Sequence, residues 1–431
     1  MNKGRGDKDA ECKKKLYIIT QHYPYGDGEK TFIEPELRRL CATGQFDITI
    51  ISSEKKGSEL TSEVDKSVKV VNIPITSIFE DFTKFALGIK YGIWYFFSKD
   101  TKCERLELKK GGITLGQLFN SLIFFIQANT FFHDIMKLNL DMDHAIIYTY
   151  WFHTQTLAFA LHKSELRDIK LISRIHGFDL YDNRTACGRH PFRAMVDDKL
   201  DKLFFIAEAG LEYYVGRMGK TSNSKYMLSR LGTECAESYD EVRAQQKKTD
   251  SFMLISCSNL VPGKRVELII QALSLIDKTC IQWVHFGDGN VRRELEKMAS
   301  KLLANKDNIH YDFKGKIHNQ EILSFYKSYL VGSFITTSQS EGCPVSVQEA
   351  LSFGIPIIAT AVGEIPLMVD GNGILLSKNP SPEEVADAIE QLSSTSVENI
   401  DSMRKKSRDL WEKYFDAEKN YCFFIDQLKI L

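Results

Sequence analysis

Residues 338–354, S-Q-S-E-G-C-P-V-S-V-Q-E-A-L-S-F-G, limit most tightly what this chain can fold into. An apolar strand pattern precedes them at 332–337 and another follows at 355–360. Pro344 suits the first turn of a helix, where its missing N–H removes no hydrogen bond. Val347, Ala350 and Leu351 supply the apolar face of that helix, and Gly354 and Pro356 stop it. Strand, glycine turn, helix and strand make a βαβ unit, which calls for a parallel sheet. The N–H groups of Gly342, Cys343 and Val345 then open toward the carboxyl edge of the sheet, where open α/β sheets hold anions and polar ligands. Glu341 stands before the helix and Glu349 within it. Carboxylates in that setting suit sugar or ribose hydroxyls, which need strong acceptors. The spacing alone says little, because Glu390 and Glu398 repeat it in a plain helical stretch.

At 431 residues the chain has room for two domains. Its 56 basic and 57 acidic residues leave a net charge of −1, which argues against a general nucleic-acid binder. None of the nine cysteines lies in a C-x-x-C pair, so neither a zinc site nor a disulfide framework is indicated. Reduced thiols in a cytoplasm are expected. Residues 1–15 are polar and charged without a signal-peptide pattern, and no apolar run reaches the roughly 18–20 residues of a spanning helix.

Residues 1–14 read as a disordered tail, and 15–232 as a first α/β domain. It opens with a buried strand at 16–20 and a loop containing Gly26, Asp27 and Gly28, followed by a helix at 32–42. Strand, glycine loop and helix allow close approach to a phosphate or sugar, although an ordinary tight turn has the same pattern. Between 77 and 140 the strand–helix alternation gives way to Phe, Tyr and Trp interspersed with lysines. Two or three amphipathic helices are expected there, serving as a layer over the sheet or as a contact for an anionic membrane. A strand at 170–175 ends at His176, well placed for the carboxyl edge.

Residues 233–250 read as a linker, 251–410 as a second α/β domain and 411–431 as a helical end. After the strand 252–257, the turn 258–265 brings Lys264 and Arg265 to a helix start. The helix dipole favours anions there, so cations at that point suit a bound diphosphate. Strands at 282–286 and 309–313 lead into Gly287-Asp288-Gly289 and Lys314-Gly315. Asp141-Met142-Asp143 has the D-x-D form of a metal motif but precedes an apolar strand instead of following one, so no metal role is assigned.

In this order, the segments 258–265, 286–289, 312–315, 338–349, 354–366 and 370–373 resemble the donor domain of the retaining glycosyltransferases of family four. The first half resembles the acceptor domain of that family more loosely, through 23–32 and 176–179. The resemblance implies the GT-B fold: two facing Rossmann-like domains with parallel sheets and an interdomain cleft. It also implies transfer from a nucleotide-diphosphate sugar to a polysaccharide or lipid-linked oligosaccharide, without cofactor or metal. Glu341 would contact hydroxyls of the moving sugar, and the N–H groups of Gly342, Cys343 and Val345, around Pro344, would hold sugar and phosphate oxygens. Glu349 would take the ribose and Lys264 the diphosphate, with Arg265 beside it. His176 would reach the donor sugar, Gly315 and Ile317 would lie at the base, and Gly26, Asp27 and Gly28 would face the diphosphate and acceptor. The family commonly has an arginine where this chain has Asn259, which removes one diphosphate cation. A nucleotide-sugar 2-epimerase of the same fold and a non-catalytic sugar-nucleotide-binding scaffold are the alternatives.

Overall fold

A computed structural model describes residues 13–26, 29–55, 57–74, 82–110, 112, 114–185, 187–220, 224–235 and 237–431. Most of the expected tail, together with Asp27 and Gly28, lies outside them. The strands are β1 (Lys14–Thr20), β2 (Phe46–Ser52), β3 (Lys69–Asn72), β4 (Ile146–Thr149), β5 (Lys170–Ile175), β6 (Lys202–Phe205), β7 (Tyr226–Leu228), β8 (Phe252–Cys257), β9 (Ile281–Phe286), β10 (Ile309–Gly315), β11 (Ser333–Thr336), β12 (Ile357–Thr360) and β13 (Gly373–Leu376). The helices of the first 230 residues are α1 (Lys30–Thr43), α2 (Phe82–Phe97), α3 (Lys102–Lys110), α4 (Leu115–Met136), α5 (Thr154–Leu161), α6 (Gly177–Leu180), α7 (Arg193–Lys199) and α8 (Glu208–Met218). Then come α9 (Tyr239–Gln245), α10 (Val266–Leu275), α11 (Arg292–Leu302), α12 (Asn319–Ser328), α13 (Val345–Ser352), α14 (Ile365–Met368), α15 (Pro382–Ser393), α16 (Val397–Tyr414) and α17 (Ala417–Lys429).

The chain divides into two compact units, one of Met1–Ser229 with Tyr421–Leu431, the other of Arg230–Asn420. The first holds a sheet in the order β3-β2-β1-β4-β5-β6-β7. The second holds one in the order β10-β9-β8-β11-β12-β13. Every pairing between these strands is parallel. Helices cover both faces of a parallel sheet, which is why the strands read as near-continuous Ile, Leu and Val runs. The strand order reverses between β1 and β4 in one sheet and between β8 and β11 in the other. At such a reversal successive loops leave in opposite directions and open a crevice.

The aromatic and basic insert forms α2, α3 and α4. Helix α4 starts at Thr114, whose hydroxyl accepts the Gln117 N–H at 3.2 Å. Helices α2 and α4 run antiparallel, since Lys84 pairs with Asp134 at 3.8 Å and the Trp94 and Phe125 rings lie 5.7 Å apart. Tyr91 and Tyr95 face the core, whereas Phe85, Ile89, Ile93, Phe96 and Phe97 are exposed. No helix among the described residues is long and apolar enough to cross a membrane.

Two boundaries differ from the sequence reading. The expected linker 233–250 contains α9, capped by Ser238 and tied to the second unit by an Arg243–Asp401 pair at 3.0 Å. The expected terminal segment 411–431 is divided instead. Helix α16 belongs to the second unit, while Tyr421, Phe424, Ile425 and Leu428 of α17 are buried in the first. Their spacing puts them on one helical face, which needs an apolar cover.

Candidate active site

In the second unit the loops after β8 and β11 part at the order reversal. They bring Lys264 and Glu341 together, Nζ to Oε1, at 2.5 Å. Lys264 ends a 3-10 turn, Pro262–Lys264, and Arg265 separates that turn from α10. Helix α13 begins at Val345, with Pro344 as its N-cap instead of inside its first turn. The first N–H groups of a helix have no partner within it, so they remain available to a ligand. Glu341 and Gly342 are braced from behind. The Gly342 carbonyl accepts the Glu364 N–H at 2.9 Å, and a Cβ on Gly363 would lie 2.3 Å from the Glu341 carbonyl oxygen. Cys343 is buried beside Gln348, whose amide lies 3.2 Å from its sulfur. Burial pushes this thiol well above its usual range.

Glu349 lies on α13, buried, and its Oε1 accepts the Asn319 side-chain N–H at 2.7 Å. Burial raises its carboxyl to about 7. Asn319, the first residue of α12, is a site residue that the sequence reading missed. In the same unit, the turn 258–260 lies directly on 287–289. A Cβ on Gly287 would be 1.9 Å from the Ser258 oxygen, and one on Gly289 would be 2.1 Å from that of Leu260. The N–H of Leu260 donates to Asp288 at 2.9 Å. Asn259 is exposed at the tip of this turn. Gly315 adopts a left-handed φ of 73° and accepts the Gly287 N–H at 2.9 Å, with half-buried Ile317 just beyond.

Arg265, expected beside Lys264 at the diphosphate, has its side chain directed onto backbone carbonyls. It lies outside α10 in a left-handed conformation, and its guanidinium is engaged by the carbonyls of Thr337, Ser338 and Lys378 and by Asn379.

In the first unit the order reversal places the loops after β1 and β4 side by side. Buried Glu29 organises them. Its carboxylate accepts the N–H groups of Gln21 at 2.9 Å, His22 at 2.8 Å and Tyr23 at 2.7 Å, and also the indole N–H of Trp151. The sequence reading missed Glu29, because nothing local distinguishes it from a surface glutamate. Gly26 packs close to His22, where a Cβ would lie 3.0 Å from the His22 Cβ. His176 ends β5. Its N–H donates to Asp179 at 2.6 Å, and the other oxygen of Asp179 accepts the Phe152 N–H at 2.7 Å. The His176 ring lies 4.3 Å from that of Trp151. It is buried, and neither ring nitrogen has a hydrogen-bond partner among the described residues. An unmet buried imidazole marks a place where a ligand has something to offer.

Asp141 lies at the opposite, amino end of this sheet and pairs with Lys15 at 2.5 Å. Among the described residues no group of three or more His, Cys, Asp or Glu side chains is arranged to hold a metal ion.

Residues 238–410 match the family model of the glycosyl transferases group 1. The GtfA subunit of a UDP-N-acetylglucosamine–peptide N-acetylglucosaminyltransferase of Streptococcus parasanguinis is 25% identical over 43% of the chain. The chain spans only 35% of the length of that relative. A glycosyltransferase of Methanocaldococcus jannaschii is 26% identical over 62% of the chain and 72% of its own length. The O-antigen biosynthesis glycosyltransferase WbnH of Escherichia coli is 30% identical over 29% of the chain and 33% of its own length. Among solved structures, sucrose-phosphate synthase of Thermosynechococcus elongatus superimposes with a TM-score of 0.67 at 14% identity, over 97% of this chain and 98% of the other. Anabaena HepE in complex with UDP gives 0.62 at 13% identity, over 97% and 100%. The fold is GT-B, two Rossmann-like domains each built on a parallel sheet.

Proposed function

We propose that the protein moves a sugar from a nucleoside diphosphate sugar to a hydroxyl of a growing bacterial polysaccharide carried on a lipid. In this reading transfer retains the anomeric configuration and needs no metal. The observation that carries the reading is the meeting of Lys264 and Glu341 at the order reversal, with buried Glu349 on the helix behind them. The family match supports glycosyl transfer, UDP in HepE makes a uridine donor the first to test, and the O-antigen relative supports a polysaccharide product.

The chemistry follows from these groups. The bond between the anomeric carbon and the diphosphate oxygen breaks, and its electron pair stays on the diphosphate. Lys264 and the N–H groups at the start of α13 neutralise that charge, the kind of contact worth roughly 100- to 1,000-fold in rate. The acceptor oxygen bonds to the same face of the sugar, and its proton passes to the departing phosphate. Glu341 accepts from sugar hydroxyls and Glu349 from the ribose, so each carboxylate orients the donor without attacking it.

A thermal-shift screen with UDP, GDP, ADP and their sugar conjugates, with and without chelator, tests this. One nucleotide at about 100 times its Kd should add about 2.7 kcal/mol, regardless of chelator, and Glu349→Ala should abolish the gain. Retention is read from the anomeric proton of the product. No shift with any nucleotide sinks the transferase reading, a shift without turnover makes the protein a sugar-nucleotide-binding scaffold, and rapid epimer formation without acceptor makes it an epimerase.

The lipid-carried acceptor has its own support. Phe85, Ile89, Ile93 and Phe97 form an exposed row on α2, with Phe97 82% exposed. In the antiparallel register, Phe119 and the 86%-exposed Leu115 of α4 lie beyond the carboxyl end of α2. Residues 82–110 carry seven basic residues and three acidic ones, in a chain of net charge −1. Two copies meeting through this face would oppose like charges, whereas an anionic lipid surface complements both its charge and its aromatics.

A further inference from the structure

The residue that sets Lys264 in place is its neighbour. Arg265 holds φ 49° and ψ 39°, the left-handed region that favours glycine and is strained for a residue with a Cβ. A position of this kind persists when surrounding contacts over-determine it, and here they do. Nε donates to the Thr337 carbonyl at 2.7 Å, and Nη2 donates to those of Ser338 at 3.1 Å and Lys378 at 2.8 Å. Nη1 reaches Asn379 Oδ1 at 3.1 Å. The backbone is stitched as well. The Thr337 hydroxyl donates to the carbonyls of Lys264 at 3.2 Å and Arg265 at 2.9 Å, and the Gln339 N–H donates to Gly263 at 2.8 Å. The Ser338 carbonyl also accepts the Thr360 hydroxyl at 2.6 Å.

One guanidinium therefore gathers the loop after β11 and the loop after β13 onto the turn that bears Lys264. Glu341 follows Ser338 by three residues, so both partners of the Lys264–Glu341 pair hang from this junction. A planar fork with several donors can hold carbonyls from two loops at fixed angles, whereas an ammonium holds them only as a point charge.

We infer that Arg265 is a positioning residue, which fixes Lys264 and the 337–341 loop for the diphosphate without touching the donor. The exchange behaviour of the clamp stands alone, while its consequence for catalysis rests on the proposed transferase function.

The test uses the full chain with Arg265→Gly, which tolerates the backbone conformation, and Arg265→Lys, which keeps a cation. Hydrogen exchange read by mass spectrometry should accelerate by about tenfold or more in 337–341 and 377–379 of Arg265→Gly and stay unchanged in α15. Arg265→Lys should restore part of the protection, and it also serves if the glycine variant fails to fold. Affinity for the nucleoside diphosphate that stabilises the wild type, together with transfer rate, is then measured in a double-mutant cycle with Lys264→Met. A residue acting through Lys264 costs about tenfold alone and little in the Lys264→Met background. Equal losses in both backgrounds would mean that the guanidinium contacts the donor, and the inference falls. It also falls if exchange in 337–341 is unchanged. If no nucleotide binds the wild type, the transferase reading fails and the exchange result alone decides the clamp.

Discussion

Glu349 is a carboxyl whose titration should be visible in binding. Burial is the main cause of its rise to about 7, partly offset by the Asn319 hydrogen bond. Cys257 beside it is pushed up to about 12, again mainly by burial, so the thiol adds no charge at neutral pH. The folded state holds the Glu349 proton more tightly than the unfolded chain does. Its contribution to stability is therefore complete below the ordinary carboxyl range and is lost as pH rises toward 7. Above that, the empty protein carries a cost of up to about 3 kcal/mol. Glu349→Gln should raise the Tm of the free protein at pH 8 and leave it unchanged at pH 4. If Glu349 takes the ribose as proposed, its hydroxyls donate to the ionised carboxyl, and calorimetric affinity for the nucleotide should fall by up to about tenfold per unit as pH drops below 7. Affinity that is flat from pH 5.5 to 8.5 would remove Glu349 from the ribose. Glu341, Glu349 and Lys264 were legible because a βα turn announces itself locally. Glu29 and Asn319 were not, since each acts across a distance that only the folded chain closes. Arg265 was visible as a neighbour of Lys264, but its left-handed backbone, which turns its side chain onto carbonyls, carries no local signal.

The elements were legible where their period was strong. The buried strands declare themselves by continuous apolar runs, and α13 by an apolar stripe that Gly354 and Pro356 bring to a stop. Helix α9 escaped because it is short and polar, and is held by Arg243 and its Ser238 cap instead of an apolar face. The insert was recognisable as amphipathic helices, but which aromatics face outward depends on how α2 lies on α4. That packing buries Tyr91 and Tyr95 and leaves Phe85, Ile89, Ile93 and Phe97 outside. It also commits Lys84 to Asp134, and Lys90, Lys99, Lys102 and Lys109 are exposed cations of the segment. Flotation with anionic vesicles should carry the wild-type protein upward and neutral vesicles should not. Ile89→Asn with Phe97→Ser should reduce flotation by about tenfold, because each removes apolar area from the interface. Reversal of the four lysines to Glu should abolish it. Flotation that survives both sets of changes would leave these helices as a plain cover for the sheet, or as a protein-binding face.

The last helix shows how the chain closes on itself. A reading in sequence order treats 411–431 as one tail, because α16 and α17 are both amphipathic and nearly adjacent. The structure divides them, and α17 returns to the sheet of the first unit. There Phe424 lies 5.1 Å from the Tyr148 ring and 4.9 Å from that of Phe204, with the Arg174 guanidinium 4.4 Å from its centre. Arg174 is fully buried and paired with Glu36 at 2.8 Å, so α17 roofs an ion pair as well as apolar side chains. Removing 421–431 exposes that pair and withdraws Tyr421, Phe424, Ile425 and Leu428 from the core. Single large-to-small changes in cores cost about 2–5 kcal/mol, and a buried pair stripped of its cover adds to that loss. The truncated chain should therefore lose the folded first unit, at a cost above about 5 kcal/mol. The second unit keeps its own core and the loops that bear Lys264 and Glu341. Calorimetry with and without the stabilising nucleotide separates the two outcomes. The transition that the nucleotide shifts should survive truncation, and the transition that ignores it should vanish. If both transitions disappear together, the units do not fold independently, and the return of α17 stabilises the whole chain.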